Sequence, residues 1–143
     1  ADAVVVVTVT GEESLGRPSA ADDPNADEFL GLTMSVDSIL TGVTATEIRL
    51  GWDAYAVDSD GTRVAENVFN GVPVPHVGDQ LVLFVRLADP QFQDFLGDFP
   101  SHAPVGLDGI GFLEDGAVII TDSSSTETDI LMGLTVDQIA SML

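Results

Sequence analysis

The chain contains no cysteine, no lysine and no long apolar run, and each absence excludes something. Without cysteine there is no disulfide, no thiolate nucleophile and no cysteine-ligated zinc. Without a stretch of about 18 consecutive apolar residues, no membrane-spanning helix is expected. Basic residues are nearly missing: Arg17, Arg49, Arg63 and Arg86 stand against 24 aspartates and glutamates, for a formal net charge of -20. Binding to nucleic acid or to anionic lipid is driven by lysine and arginine releasing counterions. Neither nucleic acid nor membrane insertion is therefore expected. A surface this acidic repels itself unless salt or bound cations screen it, and it keeps the chain dispersed.

What is present points to a folded body carrying acid on its exterior. Hydrophobic residues make up 45% of the 143, whereas disorder requires low hydrophobicity together with high charge. The length suits one domain over residues 1–143 with a core that needs no covalent staple. The opening Ala1-Asp2-Ala3 reads as the start of a chain released by cleavage after small residues, so an extracellular or cell-surface location is expected.

Along the chain, β-strand signals dominate. Residues 3–10 (AVVVVTVT) are dense in β-branched side chains and stop at Gly11. Residues 11–27 have loop composition. Residues 29–40 alternate Leu32, Met34 and Val36 with Thr33 and Ser35, and residues 47–57 alternate Ile48, Leu50, Trp52, Ala54 and Ala56 with polar or small neighbours. A tight turn at Asp58-Ser59-Asp60-Gly61 leads to a return strand over 62–69. The apolar run 80–87 (QLVLFVRL) predicts a central strand. Residues 89–104 carry Phe92, Phe95 and Phe99 at near-helical spacing, which suits a short helix acting as a lid over a barrel end. Residues 109–120 predict a hairpin turning at Asp115-Gly116, and Thr135 with Gln138 has capping-box spacing for a short C-terminal helix. The expected fold is all-β with minor α: a small closed or partly open barrel ending in that helix.

Three stretches, VDSILTG at 36–42, VGDQLVLFV at 77–85 and GIGFLEDGAV at 109–118, resemble in order the pattern of secreted bacterial modules of the OB-fold or netrin-like type. In that pattern a strand ends in a glycine turn, a Gly-Asp turn opens a buried strand, and a Gly-x-Phe hairpin follows. GLTVDQI at 133–139 is similar to the short closing helix of such modules. The resemblance implies an OB-like β-barrel. The zinc-chelating inhibition of animal netrin-like modules uses an N-terminal cysteine, and Ala1 stands there instead.

Several residues are candidates for chemistry. Asp23, Asn25 and Asp27 alternate in a loop as calcium loops present oxygens to one hard cation, although Glu28 occupies the position where the sharp turn of an EF-hand needs glycine. Asp58 and Asp60 could hold a cation, but a hairpin turn accounts for them. His76 and His102 lie in loops near prolines, and Ser101 beside His102 offers the start of a nucleophile pair without the Gly-x-Ser-x-Gly elbow. Trp52 falls on the apolar side of its strand, a core position. The serine and threonine run at 123–128 reads as an exposed loop.

These readings converge on a non-enzymatic extracellular binding module that acts through a protein partner or a cation, calcium foremost. The alternative is a structural subunit of a surface filament or layer, self-associating as Val4, Val5, Val6 and Val7 pair with a neighbouring copy. A secreted hydrolase built on Ser101 and His102 is a third expectation.

Overall fold

The computed structural model describes residues 1–18, 26–106, 109–122 and 131–143. Asp23, Asn25, the run 123–128 and the Phe92 side chain lie outside what is described.

The first two strands form a long antiparallel ribbon, β1 (Ala3–Gly16) with β2 (Glu28–Gly42). β1 does not stop at Gly11: Glu12, Glu13 and Ser14 continue it by pairing with Leu32, Gly31 and Leu30. Four irregularities in the register bend the ribbon, since each extra residue leaves one group unpaired and sharpens the twist. β3 (Glu47–Val57) pairs with β2, and the short β4 (Arg63–Glu66) with the end of β3. On its other side β1 pairs with β5 (Gln80–Leu87). A seven-residue helix α1 (Pro90–Leu96) leads to β6 (His102–Pro104). The hairpin β7 (Ile110–Glu114) and β8 (Ala117–Thr121) follows, then the C-terminal helix α2 (Val136–Met142). Every pairing is antiparallel, and the sheet order is β4-β3-β2-β1-β5-β7-β8, with β6 on β5 beyond the end of β7.

The fold is mostly β with a short C-terminal helix, as expected, but the sheet does not close into a barrel. Its curl brings β6 toward the free side of β3, where one main-chain bond spans the gap, from Ser101 N–H to the Arg49 carbonyl at 3.0 Å. β6 is three residues long and ends at Pro104, which has no N–H to extend a ladder.

The valine run shows why β1 sits at the centre. Ala3, Val5, Val7 and Val9 face the main core with Leu32, Met34, Leu50, Leu81 and Leu83. Val4 and Val6 face the opposite side, under a second cluster that includes Val82, Val118 and Ile139 of α2. A strand covered on both faces loses its alternation and reads as an unbroken apolar run. Val4, Val5, Val6 and Val7 are hydrogen-bonded neighbours of β2 on one edge and β5 on the other. Strand exchange with another copy would have to break both ladders.

Local signals account for the ends of the chain's later elements. The β7–β8 turn has positive φ at both Asp115 (52°) and Gly116 (78°), the type I′ geometry that an Asp-Gly pair favours. Thr135 caps α2 reciprocally with Gln138, each side chain bonding the other's main-chain N–H.

Candidate functional site

The gap between β3 and β6 opens into a cleft of about 510 Å³. Its apolar lining includes Phe29 of β2, Trp52 of β3, Phe69, Pro104 and Ile110, and its polar lining comes from Asp53, Arg86, Asp89 and Gln91. A concave, mainly apolar site with a few polar groups is the form that ligand sites take.

Elementary strand geometry determines what β3 offers to this cleft. Arg49 turns both its main-chain groups away from β2: its N–H donates to Ser101 Oγ at 2.9 Å and its carbonyl accepts from Ser101 N–H. Main-chain direction repeats every two residues in an antiparallel strand, so Gly51 and Asp53 point the same way. The next bond on that side is the one from Asn67 N–H to the Ala54 carbonyl at 2.8 Å, after an irregularity in the β2 pairing. Between these two bonds, among the described residues, nothing pairs with the outward main-chain groups of Gly51 and Asp53.

Asp53, which lines the cleft, is one of a carboxyl pair. Asn67 Nδ2 donates to Asp53 Oδ1 at 2.9 Å and to Asp27 Oδ2 at 3.2 Å, so one amide bridges two acids from distant parts of the chain. Burial, and then the neighbouring Asp27 carboxyl, push Asp53 up to about 6, with the Asn67 hydrogen bond opposing. Arg86 brings a guanidinium to the same lining. Arg63 is committed to Glu28, and Arg49 Nε to the Phe99 carbonyl at 2.7 Å, whereas Arg86 has no hydrogen-bond or ion-pair partner among the described residues.

The helix α1 stands beside this cleft and does not plug a barrel end. Phe95 meets Phe29 edge to face with ring centroids 5.4 Å apart. Phe99 lies against Gly31, where an added Cβ would come within 2.6 Å of its ring, and Arg49 sits over its face. Trp52 occupies its expected core position, 6% exposed, and is also one of the residues lining the cleft.

The residues singled out for chemistry divide as follows. Of the proposed calcium ligands, only Asp27 is described, and it belongs to the pair with Asp53. No cluster of three or more metal-binding side chains occurs among the described residues. Asp58 uses its Oδ1 to accept from Asp60 and Thr62 main-chain N–H groups, and Gly61 has φ of 80°, so this segment is a side-chain-locked turn. Ser101 and His102 do touch, Oγ to Nδ1 at 2.9 Å, with His102 Nε2 3.3 Å from Thr44 Oγ1. Ser101 Oγ also accepts the Arg49 N–H, so the pair stitches β6 to β3. His76 is clasped by two acids, Nε2 at 2.6 Å from Glu66 and Nδ1 at 3.3 Å from Glu12.

The Asp27, Asp53 and Asn67 group and the unpaired stretch of β3 were not signalled locally. With 24 acidic residues no pair stands out, and a missing strand partner is a property of the whole topology. Compared with known protein families, curated proteins and solved structures, the chain matches none.

Proposed function

We propose that the protein is an extracellular, non-enzymatic binding module whose ligand sits in the cleft between β3 and β6. The observation that carries this reading is the cleft itself: about 510 Å³, lined mainly by apolar side chains, with Asp53 and Arg86 among its polar lining. The size and lining suit a ligand with an apolar body and a polar edge. A setting outside the cell is supported by the charge of -20, which ambient salt or cations would screen. The non-enzymatic part is supported by the employment of Ser101, whose Oγ is held by the Arg49 N–H, and by His102, whose second nitrogen faces Thr44 where a triad would have a carboxylate.

Trp52 is the chain's only tryptophan, so its indole N–H gives one resolved signal inside the site. Benzylamine and indole, titrated into 15N-labelled protein, are expected to shift that signal together with the amides of Phe69, Ala103 and Ile110. Ala103→Phe, which fills the cleft from β6, should abolish the shifts while leaving the amide pattern of β1 and β2 intact. Shifts mapping to another face, or persisting in the filled variant, would remove the cleft as the site.

A further inference from the structure

We infer that the cleft receives an extended, basic peptide segment of a partner protein, added as a strand against β3. This rests on the cleft being the binding site and names what enters it. Among the described residues, the main-chain groups of Gly51 and Asp53 on this side have no partners, between the Ser101 bond to Arg49 and the Asn67 bond to Ala54. An unpaired strand segment is a template for another chain, and strand addition is a standard means of peptide capture. At roughly 3.3 Å per residue, residues 51–53 offer a ledge of about 10 Å, enough to pair with two or three residues of an incoming strand.

The side-chain environment matches the same occupant. Alternate side chains of an added strand point to opposite sides. One set would meet the apolar lining of Trp52, Phe69 and Ile110, and the other the acidic lining of Asp53 and Asp89. Arg86, with no acceptor among the described residues, can donate to a main-chain carbonyl of the incoming segment. Charge decides between partners. A body with net charge -20 attracts lysine and arginine at long range and repels both acidic peptides and a second copy of itself. A cation held beside Asp53 favours its ionised form, so peptide binding is coupled to loss of the proton that Asp53 retains near its raised pKa of about 6.

The probe is an acetylated, amidated hexapeptide alternating valine with lysine, titrated at about 50 mM ionic strength, where surface attraction is little screened. Trp52 emission reports binding. Two further versions are N-methylated, one at all valines and one at all lysines, because only one alternating set of N–H groups faces β3 in an added strand. One methylated version should bind as the parent does. The other should weaken by about tenfold or more, the worth of one or two lost main-chain hydrogen bonds. A version alternating valine with glutamate should not bind.

Equal binding of both methylated versions, or binding of the glutamate version, overturns strand addition of a basic segment. Silence toward every peptide, with benzylamine and indole still shifting the Trp52 indole signal, also overturns it while leaving the cleft standing. Silence toward all of these probes removes both readings. Dimer formation that competes with the peptide in sedimentation would assign the ledge to a second copy and sink the inference.

Discussion

Arg63 grips Glu28 with two parallel donors, Nε to Oε1 at 2.6 Å and Nη2 to Oε2 at 2.7 Å. The pair reaches from β4 across β3 to β2, while the guanidinium lies 4.1 Å from the Tyr55 ring centroid on the strand between them. Ser14 Oγ completes the carboxylate's shell at 2.6 Å. The Arg63 hydrogen bonds, working against burial, hold Glu28 below the ordinary carboxylate value of 4.5. A depressed acid stabilises the fold above that value, and the contribution fades as pH falls below it.

Arg63→Gln should therefore destabilise the protein by about 1 kcal/mol at neutral pH, a figure kept small because Arg63 is half exposed. Arg63→Lys should recover only part, since an ammonium cannot reproduce the planar fork. Urea titrations at pH 7 and pH 3.5 measure this: the gap between wild type and Arg63→Gln should shrink at the lower pH. A gap that stays constant would mean that the ion pair is not its source.

How far the architecture can be read from residues depends on how local its cause is. Asp115-Gly116, the β5 run and the Thr135–Gln138 box act over a few positions, and all three fall where their patterns indicate. Glu12 and Glu13 look like loop because nothing in their own neighbourhood demands a strand; their pairing with Leu32 and Gly31 is imposed by β2. The run at Val4 to Val7 carries a legible cue, unbroken apolarity, for a central strand with two covered faces. The cleft has no such cue. It exists because β6 is too short to cover residues 51–53 of β3, and Asp27 meets Asp53 only after β2 and β3 have paired.

Asp53 should make the protein less stable as pH rises. Its folded-state pKa, about 6, lies above the ordinary 3.8. A raised acid contributes stability that is complete below its unfolded value and is lost as pH climbs through the folded one. Asp53→Asn should melt a few degrees above wild type at pH 7.5, and the two curves should meet near pH 4. Coincident melting temperatures across that range would deny that burial and the Asp27 carboxyl raise Asp53.

The two histidines should pull stability in opposite directions. Burial acts to lower His76, but hydrogen bonds and charge from Glu66 and Glu12 outweigh it and raise its pKa. Its contribution is full below about 6.5 and is lost as pH rises through the raised value. Burial lowers His102, with Arg49 reinforcing and Asp2 opposing, so its contribution holds above 6.5 and is lost as pH falls through the lowered value. His76→Gln should cost stability mainly at acidic pH. His102→Gln should flatten the acid side of the wild-type profile. Ring proton shifts followed by NMR from pH 4 to 9 give both midpoints directly, and a shared midpoint would contradict the two environments.

The second face of β1 makes α2 a structural necessity. Ile139, 1% exposed, packs in the cluster with Val4, Val6, Val82 and Val118, and without it those valines would meet water. Truncating a buried isoleucine to alanine removes transfer energy and leaves a cavity, together about 2–4 kcal/mol. Ile139→Ala should show that loss in urea unfolding. Amide exchange should then quicken in α2 and in the 133–136 segment, where Gly133 N–H bonds the Val118 carbonyl and Val118 N–H bonds Leu134. Val6→Thr, which keeps the shape of the side chain and buries a hydroxyl under α2, should cost less but loosen the same segment. If Ile139→Ala left stability unchanged, the helix would be an appendage, and the unbroken valine run would need another explanation.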